Sequence, residues 1–241
     1  MGNNIINGIG FVSGFGPIIR GAKAVNAFSG NTSGTVDIYT VPTGKKAFIS
    51  WLYGLSSSPG MTGSLNIKVG GTYYGLTGIS TALGTNARLF VGMVLNAGES
   101  FSVIVNSNPG GNLWVRAMEM DISTPLYTGR LLSLSAGNNT LMTVTTGKTA
   151  MIIDSSGGCY VNASGGLYRN LSGGNRNVKT YHVPNGGSPG TTNQFNQNTA
   201  LANGNNLIMS IPTSMGSGDS IVINTDAATA TQWAFTTYYE I

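Results

Sequence analysis

The stretch Val41-Pro42-Thr43-Gly44-Lys45-Lys46-Ala47 returns a hundred residues later as Val144-Thr145-Thr146-Gly147-Lys148-Thr149-Ala150. Each copy has the form of a strand end, a tight turn carried by glycine, and the start of another strand. Further anchors run in the same order. Gly70-Gly71-Thr72-Tyr73 pairs with Gly165-Gly166-Leu167-Tyr168, and Glu99-Ser100-Phe101 with Asp219-Ser220-Ile221. The closing stretch Trp114 to Ile122 pairs with Trp233 to Ile241. Two β-domains of one ancestry explain this order. The extra length of the second copy is expected in loops, chiefly the Gly/Asn/Pro-rich stretch 185–206.

Within the first copy the strand signals are dense. Val36 to Val41 precedes the turn, and Ala47, Ile49, Trp51 and Tyr53 share one face of a period-2 strand after it. Phe101, Val103 and Val105 alternate in the same way, and 62–69, 71–76, 86–95 and 112–122 read as further strands. Seven short half-apolar ribbons bury themselves best as an antiparallel sandwich or barrel. The expected class is all-β: two tandem antiparallel, jelly-roll-like sandwiches, at 35–123 and 131–241, with a linker at 124–130.

Residues 1–34 stand apart. Glycine at positions 2, 8, 10, 14, 16, 21 and 30 separates isolated large apolar residues such as Ile5, Phe11, Phe15 and Ile18, with no sustained period. A solvated leader would not hold so many apolar groups. An extended arm lying on a neighbouring subunit accounts for both features. The first six residues carry no basic group, so they do not read as a secretory signal.

Composition narrows function. In 241 residues, 8% are charged, against roughly 25% in ordinary soluble domains, while glycine takes 36 positions. A surface built from Ser, Thr, Asn and Gly gives little repulsion between copies, which suits self-assembly. Twelve basic and eight acidic residues leave a net charge of +4, but the basic residues are scattered. Nucleic-acid binding needs a concentrated stripe, so no nucleic-acid partner is expected. No apolar run reaches membrane-spanning length, and no membrane partner is expected.

Reactive chemistry is sparse. The lone Cys159 reads as a small apolar residue. The lone His182, in Lys179-Thr180-Tyr181-His182-Val183-Pro184, reads as a strand-end residue, with no nucleophile elbow to serve it. Asp219 and Asp226 are the acidic pair in the second half that could share a calcium loop, without EF-hand spacing. Glu99 matches Asp219 and Asp121 matches Glu240 between copies, so these acids read as structural rather than as a catalytic pair. Tyr73, Tyr74, Tyr160, Tyr168, Tyr181, Tyr238 and Tyr239 could stack on sugar rings or simply pack. The expectation is no catalytic, cofactor-binding or metal residue, no cofactor, and no enzyme.

The turn Val41-Pro42-Thr43-Gly44-Lys45, the segment Leu95-Asn96-Ala97-Gly98-Glu99-Ser100 and closing strands ending Asp121-Ile122 or Glu240-Ile241 resemble small β-sandwich modules of tailed-phage virions. The second copy departs from the pattern, with Thr145 for Pro42 and Ser217-Gly218 for Ala97-Gly98. The resemblance implies a head decoration, or cement, protein that reinforces the major capsid protein shell, often as a homotrimer. It also admits a tail-fibre or adaptor component. The chain would then be made in the host cytoplasm and reside in the virion. A carbohydrate-binding module is the reading of a different class.

Overall fold

The computed structural model describes residues 23–29, 34–56, 61–81, 86–107, 111–152, 165–170, 172–203, 206–210, 214–227 and 232–241. Two compact units divide at Thr124 and Pro125. The first holds β1 (Lys23–Ser29), β2 (Gly34–Thr40), β3 (Lys45–Ser56), β4 (Met61–Val69), β5 (Thr72–Thr81), β6 (Asn86–Asn96), β7 (Ser100–Ser107) and β8 (Gly111–Asp121). The second holds β9 (Leu126–Leu131), β10 (Gly137–Thr143), β11 (Ala150–Ile152), β12 (Gly165–Asn170), β13 (Arg176–Val183), β14 (Gln194–Leu201), β15 (Asn206–Ser210), β16 (Ser214–Met215), β17 (Ser220–Thr225) and β18 (Gln232–Glu240).

In the first unit one sheet runs β1-β8-β3-β6 and the other β2-β7-β4-β5, all antiparallel. Eight strands split in this order between two four-stranded sheets form a jelly roll. The second unit repeats it. There β10-β17-β13-β14 matches β2-β7-β4-β5, while β9 and β18 take the places of β1 and β8. The place of β3 is divided between β11, on Tyr238–Glu240, and β12, on Gln232–Phe235. The place of β6 is likewise divided between β16 and β15. The chain is all-β in two tandem jelly rolls, as the strand pattern implies.

Pairing partners define which side chains face inward. In the first unit Tyr39 lies opposite Phe101, which lies opposite Ile67, and Val103 lies opposite Leu65. From the other sheet Ile49 lies between Met93 and Ala117, and Ala47 between Leu95 and Glu119. All of these except Tyr39 and Glu119 are at most 1% exposed. At about 25 cal/mol per Å² of apolar surface, such fully buried side chains each contribute roughly 1.5–3 kcal/mol before the entropy cost of ordering them. The second core joins Met142, Val144, Val178, Ile221 and Ile223 from one sheet to Ala150, Ile152, Met215 and Ala234 from the other.

The outward faces of the β1-β8-β3-β6 sheet and its counterpart also carry buried apolar groups. Phe48, Val94, Met118 and Met120 in the first unit alternate with the inward set, as do Trp233 and Phe235 in the second. The two rings at Trp233 and Phe235 stack at 5.6 Å. Lys46 shares this face, 2% exposed, and burial pushes its ammonium down to about 8.

Three expectations are corrected. Lys23–Ser29, placed in the arm at 1–34, is an edge strand paired along its length with β8; residues 1–22 lie outside the described set. Six of the seven residues read as a linker at 124–130 belong to the second unit, and Leu126–Arg130 of these lie in β9, paired to β18. Gly165-Gly166 does not correspond to the β4–β5 turn at Gly70-Gly71, because it opens β12. His182 lies opposite Ile221 as Ile67 lies opposite Phe101, so the counterpart of Gly70-Gly71 is Asn185-Gly186. Part of the added length therefore enters between β11 and β13, ahead of the 185–206 stretch.

Candidate functional site

The repeated motif is built as a pair of linked turns. Lys45 N–H donates to Pro42 O at 3.2 Å and Lys148 N–H to Thr145 O at 3.0 Å, with Gly44 and Gly147 at φ 74° and 79°. Left-handed backbone at that place is what selects glycine. Across from each, Glu99 N–H donates to Asn96 O and Asp219 N–H to Gly216 O. The two turns are tied through Val41 and Val144: each exchanges one bond with the acid's carbonyl and one with the preceding glycine N–H, at 2.9–3.1 Å. The acids then cap their own turns, Glu99 Oε2 accepting from Asn96 N–H at 2.8 Å and Asp219 Oδ2 from Gly216 N–H at 3.0 Å. Behind them a hydroxyl pair recurs at 2.8 Å, Thr40 with Ser100 and Thr143 with Ser220.

Asp219 does more than Glu99. Its Oδ2 lies 2.9 Å from His182 Nε2, and its Oδ1 accepts Asn185 N–H at 3.1 Å. Burial raises its pKa, but the bonds from His182, Gly216 and Asn185 outweigh this and hold it below the usual carboxylate range. His182 sits at the end of β13, as the sequence implies; its bond to Asp219 was not legible there. The signal lies in register: His182 opposes Ile221, beside Asp219 at the mouth of β17. The carboxylate is committed to one imidazole and two backbone donors, and the described contacts of His182 include no hydroxyl or thiol.

The second acid of the candidate calcium pair lies elsewhere. Asp226 Oδ2 accepts Asn177 N–H at 3.1 Å and Asn177 Nδ2 at 3.0 Å. It follows the last residue of β17 whereas Asp219 precedes the first, which separates them by roughly 24 Å at ~3.4 Å per residue. Among the described residues no three His, Cys, Asp or Glu side chains gather within reach of one ion. Asp154 and Cys159 lie outside the described residues.

In the first unit the outward face of β2-β7-β4-β5 carries a polar cluster centred on Asp37. Lys68 Nζ lies 2.7 Å from Oδ2; Ser102 Oγ and Tyr73 Oη donate to Oδ1 at 2.7 and 3.2 Å. Burial raises the Asp37 pKa, but Lys68, Ser102 and Tyr73 together bring it below its ordinary value. Tyr73 is 38% exposed, and Lys68 Nζ stands 5.1 Å from its ring centroid. One ring face is therefore engaged by a cation of the same sheet.

The remaining tyrosines are dispersed. Tyr181 is buried with Val183 and Val222 on the outward face of β13. Tyr238 packs on the second core and meets Tyr127 at 5.7 Å. Tyr74 and Tyr239 are half-buried, Tyr160 lies outside the described residues, and Tyr168 is described only as a backbone position of β12. No described pair of these rings forms an open platform.

The acid match between copies holds for Glu99 with Asp219 and is corrected for Asp121 with Glu240. Ala47 pairs with Glu119 and Ala150 with Glu240, so Glu240 takes the place of Glu119. Glu119 Oε1 accepts Tyr39 Oη at 3.0 Å, and Glu240 Oε1 accepts Thr145 N–H at 2.9 Å. Asp121 instead meets Lys45 in an exposed ion pair.

No family model and no curated protein sequence matches the chain. Solved structures give slight likenesses. One is described as the triple jelly roll fold and turret assembly in an archaeal virus. It is 16% identical with a TM-score of 0.28, over 91% of this chain and 59% of that one. Another is the atomic structure of Sulfolobus Turreted Icosahedral Virus, 16% identical with a TM-score of 0.30, over 90% of this chain and 59% of that one. A third is the N-terminal CBM22-1–CBM22-2 tandem domain from Paenibacillus barcinonensis Xyn10C, 9% identical with a TM-score of 0.25, over 91% and 89%. The chain thus spans about 59% of the length of the two virus chains. At these TM-scores the likeness carries no argument about role.

Proposed function

We propose that the chain is a structural protein of a virus particle, and specifically a tailed-phage head decoration protein that binds and stabilises the assembled capsid shell. The observation that carries this reading is the use made of the polar groups. In both jelly rolls the acids cap turns and tie strands at the same places, and none of the described clusters leaves a nucleophile, base and acceptor in one cleft. A scaffold whose side chains serve its own turns acts through surface shape, and the jelly roll is an architecture used for that purpose in capsids. The chain is accordingly read as a non-enzyme without cofactor. Its partners are further copies of itself, as a homotrimer, and the major capsid protein; its location is the virion.

Electron microscopy of the particle tests this directly. Density for the chain at symmetric positions over the head is the expected result. A few copies at the tail would establish the tail-fibre or adaptor alternative, and absence from the particle would overturn the reading. A carbohydrate-binding role would show as saturable glycan binding lost in Tyr73→Ala or Tyr168→Ala.

A further inference from the structure

Pro184-Asn185-Gly186-Gly187 joins the end of β13 to the loop before β14, and Gly187 N–H closes it on Pro184 O at 2.8 Å. Gly186 takes φ 73°, and no non-glycine residue of the described chain has positive φ. Negative φ at the second position and positive φ at the third make this a type II turn. Asn185 and Gly186 are both exposed, and a Cβ at Gly186 would meet nothing within 4 Å. The Asn185 backbone N–H is bound to Asp219, but among the described residues its side-chain amide and the Gly186 N–H have no hydrogen-bond partner. A side-chain amide that lies against Gly218 but is held by no hydrogen bond, followed by a glycine with open space around it, is the residue pair that permits intramolecular attack.

We propose that Asn185 is a site of spontaneous deamidation. Solvent base removes the Gly186 N–H proton, and that nitrogen attacks Asn185 Cγ. The new N–C bond forms as the Cγ–Nδ2 bond breaks, ammonia leaves with the proton, and a succinimide remains. One water then opens the ring at either carbonyl, giving aspartate or isoaspartate. The net change is one water consumed and one ammonia released, without oxidant or cofactor.

The site matters because of its surroundings. Asn185 Cγ lies only 2.5 Å from where a Cβ on Gly218 would stand, and its N–H is one of the bonds that fix Asp219. A carboxylate formed there adds like charge beside Asp219, and the extra backbone carbon of isoaspartate displaces the donor N–H. The clasp joining the end of β13 to the turn before β17 should loosen.

The chain provides its own comparison at Asn203-Gly204. Asn203 Oδ1 is held by Gly173 N–H at 2.9 Å, which fixes that side chain. The intact protein is incubated at mildly alkaline pH, folded and in urea, and mapped by peptide mass spectrometry with a fragmentation method that distinguishes isoaspartate. In the folded protein Asn185 is expected to convert several-fold faster than Asn203, with isoaspartate among its products, and the difference should narrow in urea. Native Asn185 surviving while the unfolded chain converts, or Asn203 converting first, overturns the proposal. Asn185→Gln, which would need a slower six-membered closure, should remove the modification at this position and keep the unfolding temperature of fresh protein; continued modification at position 185 would also overturn it.

Discussion

Glu119, half-buried, and Glu240, buried, show what an acid does in the sheets of this fold. Each lies on the last strand of its sheet, opposite Ala47 or Ala150, and each accepts a bond from the strand or turn of the facing sheet. Tyr39→Phe keeps the ring and removes the donor, leaving Glu119 short of a partner. It should cost about 1.5–3 kcal/mol, read as a lower urea midpoint with unchanged slope. Asn170 is the neutral counterpart. Fully buried, its Nδ2 donates to Leu201 O and Gly174 O at 2.8 Å, and its Oδ1 accepts Ser172 N–H and Oγ–H. Asn170→Ala strands several of these at once and should cost about 2 kcal/mol or more by the same measurement. Lys46 gives a pH signature. Its folded pKa, about 8, lies below the ordinary 10.5, so between these values the unfolded chain binds more protons than the folded one. Stability attributable to Lys46 should rise with pH across that window, and Lys46→Met should flatten the rise. Unchanged slope in urea titrations from pH 8 to 10 would show that the ammonium is solvated.

At the scale of elements, the strand that opens each jelly roll is the one the sequence hides. Among the described residues β1 and β9 each lie at an edge, paired on one side, to β8 and to β18. Their sequences, Lys-Ala-Val-Asn-Ala-Phe-Ser and Leu-Tyr-Thr-Gly-Arg-Leu, hold one β-branched residue each and lack the run that marks strands such as β7 and β17. Tertiary pairing supplies what local preference does not. Gly129 shows the packing constraint on β9: a Cβ there would stand 2.7 Å from Leu141 O and 2.8 Å from Met142 Cβ, where β9 passes β10. Gly129→Ala should therefore cost about 1–3 kcal/mol through overpacking. Gly147→Ala, with open space but φ 79°, should cost only about 1–2 kcal/mol through the backbone. Equal costs in thermal unfolding would place the crowding elsewhere. The seven strands after β1 were legible because alternation and Gly turns mark them, and the linked turns at Gly44 and Gly147 because glycine is required there. The match of Trp114 with Trp233 was misplaced by two residues for an instructive reason. A period-2 pattern looks the same after a shift of two, so alternation fixes the face of a strand but not its register. The break between β11 and β12 and the meeting of His182 with Asp219 depend on register, and so needed coordinates.

For the whole molecule the governing fact is scarcity of charge, 8% of 241 residues, with much of it consumed locally. Lys68 is bound to Asp37, Lys45 to Asp121 and His182 to Asp219. Among the described residues, what remains to meet a partner is mainly hydroxyl, amide and glycine surface with scattered basic residues such as the exposed Lys148, which favours association through shape and hydrogen bonds over long-range fields. Two consequences separate this from a basic protein that gathers on polyanions. Self-association should change little between low salt and ~0.5 M salt, because few exposed charges are there for screening at a Debye length under ~10 Å. Binding to DNA or RNA, by contrast, would collapse over the same range as counterions compete. Sedimentation across that salt series is the measurement. A constant mass above that of one chain is the expected outcome, with three chains the mass the decoration reading requires. A monomer at every salt concentration and at high protein concentration would remove self-assembly from the account, and an assembly that dissolves steeply with salt would mean that the scattered basic residues hold it together. Acid gives an independent check. Asp37 and Asp219 are both held below their ordinary value of 3.8, so their stabilisation is complete above it and is lost as pH falls through the lower folded values. The unfolding midpoint should hold from neutrality to about pH 5 and decline only below that range, and Asp219→Asn should move the start of the decline without altering the plateau's slope.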